Sequence, residues 1–70
     1  MEPIIVQLVK KVLLVEGNPS MYRCFGYDAD NVLWEYVLTI FKNGETRQRM
    51  FRQVSLYEFK EIMERDLNEA

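Results

Sequence analysis

The chain has 70 residues, 49% of them hydrophobic, with nine Lys or Arg, eleven Asp or Glu, one Cys and no His. That length suits one domain over residues 1–70 and lies near the lower limit for a core that stabilises itself. A single Cys excludes an internal disulfide and the lack of His argues against structural zinc, so close packing or association with another chain must supply the stability.

The apolar content is too high, and the net charge of -2 too small, for a disordered tail. The longest apolar region, Ile4 to Val15, is interrupted by Gln7, Lys10 and Lys11 and falls short of the roughly 20 residues of a membrane span. Glu2 occupies the place of a basic leader segment and no small-residue cleavage site follows, so no signal peptide is expected. A lone thiol without a leader fits a reducing compartment and a cytoplasmic location, with no membrane partner. Charge is segmented: -2 over residues 1–38, +3 over residues 39–54 and -3 over residues 55–70.

The first segment, Ile4 to Val15, matches a helix through Ile5, Leu8, Val9, Val12 and Leu13. Six of its residues are Ile or Val, however, which favours a long strand with a bulge near Lys10-Lys11. Gly17-Asn18-Pro19-Ser20 reads as a turn and Met21 to Tyr27 as a shorter strand. Asp28-Ala29-Asp30-Asn31 reads as the next turn. Val32 to Phe41 and Thr46 to Val54 flank Asn43-Gly44, the strongest short hairpin signal, because both positions tolerate positive φ. A two-residue loop there pairs Lys42 with Glu45, Tyr36 with Phe51 and Glu35 with Arg52, and sets Val37 against Met50 and Leu33 against Val54. Ser55-Leu56-Tyr57-Glu58 has the form of a capping box. Apolar residues at Leu56, Phe59, Ile62, Met63 and Leu67 predict a helix over 56–67. The expected fold is α+β, a four-stranded antiparallel β-meander followed by a C-terminal helix (β-β-β-β-α).

In that register one hairpin face carries Leu33, Val37, Phe41, Met50 and Val54 with Glu35, Thr39 and Arg52. The other carries Trp34, Tyr36, Leu38, Ile40 and Phe51 with Arg47, Arg49 and Gln53. Both faces are apolar and one helix covers only one of them, so either the sheet curls or the first segment covers the second face, or, as the leading expectation, a homodimer forms through the sheet or the helix.

Catalysis finds little support. No His can act as a general base near neutral pH, and Cys24 has no His to activate it. Asp28-x-Asp30 resembles the start of a calcium loop, but Val32, Leu33 and Trp34 follow where Gly and oxygen ligands are required. No cofactor or metal is expected. The binding candidates are Trp34, Tyr36, Lys42, Arg47, Arg49, Phe51 and Arg52: aromatic rings that can stack on bases beside cations that can track phosphates, extended by Lys10, Lys11 and Arg23.

The Arg-rich strand running into Gln53-Val54-Ser55-Leu56-Tyr57-Glu58-Phe59 resembles the positive-cofactor family of transcriptional coactivators. The likeness covers most of the chain as topology and Val54 to Phe59 as residues. Arg52-Gln53 stands where that family has a Lys-Gly step. The resemblance implies a dimer that binds single-stranded DNA. A second class explains the same apolar excess without a basic surface: a small regulator or inhibitor of a larger protein, of the kind frequent among phage and mobile-element proteins. Protein binding is the leading expectation and single-stranded nucleic-acid binding the alternative.

Overall fold

The computed structural model describes residues 2–69, with side chains described up to Arg65. It contains β1 (Ile5–Val15), β2 (Ser20–Asp28), β3 (Leu33–Ile40), β4 (Thr46–Gln53) and α1 (Leu56–Glu69). The strands form one antiparallel sheet in chain order, β1-β2-β3-β4, so the α+β fold is the one expected. The first segment is a strand, and register irregularities fall between Ile5 and Gln7, Leu8 and Lys10, and Leu13 and Val15. Such bulges increase local twist. They accompany side chains of β1 folded over β2: a Cβ added at Gly26 would lie 2.5 Å from Ile5 Cγ2 and 2.9 Å from the Gln7 carbonyl oxygen. Only glycine fits beneath that crossing.

Residues directly opposite in antiparallel strands share a face. The β2–β3 register pairs Phe25 with Glu35, Tyr27 with Leu33 and Arg23 with Val37. These residues form the helix-side face. Ser55 caps α1 by accepting the Glu58 backbone N–H at 3.1 Å. Glu58 does not complete the reciprocal box; its carboxylate instead accepts from Arg52 Nη1 at 2.8 Å. The apolar stripe of α1 lies on one end of the sheet. Phe25, Leu33, Val54 and Ile62 are buried together, with Tyr27, Phe59 and Met63 packed against them. Phe25 and Phe59 meet edge to face, 5.1 Å between ring centroids.

The hairpin departs from the expected register at its tip. Phe41 donates its backbone N–H to Glu45 at 2.8 Å, and Gly44 donates to the Phe41 carbonyl at 3.0 Å with φ of 90°. The loop therefore has three residues, Lys42-Asn43-Gly44, with glycine in the left-handed position that closes such loops. Lys42 does not pair with Glu45, and Val37 faces Arg49 rather than Met50. The expected register returns at the base, where Glu35 faces Arg52 and Val54 donates to the Leu33 carbonyl at 2.9 Å. One extra residue in β4 absorbs the difference between Glu35 and Val37. Met50 adopts φ of 61° within that irregularity, a conformation costing about 1–3 kcal/mol for a side chain of this size.

Candidate interaction surfaces

Trp34, Tyr36 and Phe51 gather on the face away from the helix. The Tyr36 and Phe51 rings stack with centroids 5.1 Å apart, and Trp34 meets Phe51 edge-on at 6.3 Å. Tyr22, Cys24, Leu38 and Ile40 share this face through the β2–β3 register. Lys11 places its Nζ 4.5 Å from the centre of the Tyr22 ring. The Trp34 indole is fixed by donation from Nε1 to Asp28 Oδ2 at 2.9 Å. That bond, with the Val32 and Asp30 backbone N–H groups, holds the Asp28 carboxyl below the ordinary carboxylate range. Burial pushes the Cys24 thiol up, so it stays protonated near neutral pH and is a poor nucleophile.

The basic candidates do not join the aromatic ones. The shifted tip register pairs Arg49 with Val37 and Arg47 with Thr39, which places both arginines on the helix-side face. The expectation that Arg47 and Arg49 share a surface with Trp34 is corrected by that single-residue slip. Arg47 instead lies over Phe41, its guanidinium carbon 5.4 Å from the ring centroid. Arg52 is committed to structure, bridging Glu35 at 3.0 Å and Glu58 at 2.8 Å, and Arg23 takes the other Glu35 oxygen. The Arg23–Glu35–Arg52–Glu58 row neutralises itself across the middle of the helix-side face. Lys42 sits at the hairpin tip, where Asn18 Oδ1 accepts its backbone N–H at 3.1 Å. Lys10 is paired with Phe25 on the helix side, so Lys11 alone of the supplementary cations lies with the aromatic residues.

A surface outside the candidate set is the outer edge of β1. This strand ends the sheet, so its outward backbone groups have no neighbouring strand among the described residues. Val6 is 64% exposed, Leu8 53% and Leu14 52%, with Val9, Leu13 and Val15 also exposed. The signal in the sequence was apolar residues at both odd and even positions of one strand, which a single covered face cannot use. No helix is long and apolar enough to cross a membrane among the described residues. Comparison with protein-family models, with curated proteins and with solved structures finds no match to this chain.

Proposed function

We propose that the protein is a non-catalytic binding module of the cytoplasm that acts by associating with other polypeptide chains. Its roles are self-association as a homodimer and regulation, including inhibition, of a larger protein. The observation that supports this reading is β1, an edge strand exposing large apolar side chains on both faces. An open, apolar edge is a template for strand pairing, and soluble monomers usually blunt it. The face away from the helix adds the half-buried rings of Trp34 and Phe51, packed around the buried Tyr36, residue types enriched at interfaces. A single-stranded nucleic-acid ligand has weaker support, because the stacking rings and the unpaired arginines stand on opposite faces.

Sedimentation equilibrium tests the reading. The full chain should self-associate in the micromolar range, and replacing Val6 and Leu14 by Lys should shift it toward monomer without loss of helix signal. A wild-type chain that stays monomeric throughout removes the dimer. Titration of a fluorescent oligonucleotide at low and high salt tests the alternative, since phosphate contacts give an affinity that falls steeply with salt. Saturable, salt-sensitive binding there would replace the protein-binding reading.

A further inference from the structure

The helix-side face has an open end that α1 does not reach. A groove of about 230 Å³ lies there, lined by Met21, Val37, Thr39, Phe41, Arg47, Arg49 and Met50. Two observations set its chemistry. Arg47 and Arg49 form no ion pair among the described residues, whereas Arg23 and Arg52 are both bound to carboxylates. The remaining wall is mostly aliphatic, and Met50 stands 77% exposed at its rim with a left-handed backbone. A non-glycine residue held in that conformation and presenting an apolar side chain to solvent is a feature more often found at binding sites than in ordinary strands.

We propose that this groove docks an acidic, extended segment of a partner protein. One apolar side chain enters between Val37 and Met50, and flanking carboxylates pair with Arg47 and Arg49. Guanidinium groups suit planar carboxylates through bidentate hydrogen bonds. A nucleic-acid strand fits the groove less well. Its one aromatic wall, Phe41, is already overlaid by Arg47, and two free cations make a short track for a phosphate backbone. The proposal rests on the protein-binding reading above and names the partner's chemistry. The two can fail separately, because sedimentation of the β1 variants does not involve this groove.

The experiment is fluorescence anisotropy with the full chain and three labelled probes: a short peptide alternating Glu and Leu, the same peptide with Gln for Glu, and an oligothymidylate. The acidic peptide should bind saturably and at least about tenfold more tightly than the Gln peptide, as expected when paired charges are lost. The R47Q/R49Q variant should lower that affinity by a similar factor while keeping the wild-type melting curve. Met50→Gly relieves the backbone strain, so it should melt no lower than wild type yet bind the peptide more weakly. Equal binding of both peptides, unchanged binding by R47Q/R49Q, or unchanged binding by M50G would each overturn the proposal. So would an oligothymidylate that binds more tightly than the acidic peptide.

Discussion

The Asp28 carboxylate accepts hydrogen bonds from the backbone N–H groups of Asp30 at 2.8 Å and Val32 at 3.0 Å, and from the Trp34 indole at 2.9 Å. One residue thereby closes the β2–β3 turn and fixes the ring that opens the aromatic face. Its pKa is lowered in the folded chain, foremost by the Trp34 bond. A depressed carboxyl pKa contributes stability that is present above the unfolded value, near 3.9 for Asp, and is lost as pH falls through the folded value. Asp28→Asn should therefore lower the melting temperature near neutral pH, and the gap to wild type should narrow as the solution is acidified below about pH 4. Thermal melts across that range check this; a gap independent of pH would show that the charge of Asp28 contributes nothing.

At the scale of elements, α1 depends on its first turn. The Ser55 hydroxyl satisfies one of the N–H groups that a helix start leaves unpaired, and Glu58 is engaged by Arg52 rather than by the cap. Ser55→Ala should cost about 0.5–2 kcal/mol, read from urea unfolding midpoints, while Glu58→Gln should cost less because its partner is a half-exposed ion pair. A cost for Ser55→Ala below that of Glu58→Gln would contradict this account of the helix start. The meander and the helix were legible because turn signals and apolar spacing are local, and each predicted segment lies within a residue or two of its element. The bulge at Met50 was not legible. Nothing in Arg49-Met50-Phe51 favours positive φ, and Asn43-Gly44 points to a two-residue loop. Loop closure between Phe41 and Glu45 decided the tip register, and the base register was held by Glu35 with Arg52. Two of the seven candidate residues, Arg47 and Arg49, changed face as a result. Trp34, Tyr36 and Phe51 belong to the stable base of the hairpin and came together as expected, whereas Arg47 and Arg49 lie beyond the slip.

The whole molecule is a slab of 36 × 33 × 16 Å, thin because one helix covers only part of one sheet face. Its core is correspondingly small: Cys24, Phe25, Leu33, Tyr36, Val54 and Ile62 are the buried hydrophobic side chains among the described residues. A chain of this size with a single cysteine, and so no internal disulfide, stabilises itself weakly. If association through the exposed surfaces supplies the remainder, the melting temperature should rise as protein concentration is raised from the low to the high micromolar range. Scanning calorimetry at several concentrations checks this, and an invariant midpoint would mean that the slab is sufficient alone. The open edge of β1 also raises the question of runaway growth. Lys10 and Lys11 sit at the centre of that strand, and Arg47, Arg49 and Arg52 are the charged residues of β4 at the opposite edge. Pairing β4 of one copy with β1 or β4 of another therefore sets like charges together, which disfavours open stacking of copies into fibrils, while two β1 strands can still close a pair in an offset register that keeps Lys10 and Lys11 apart.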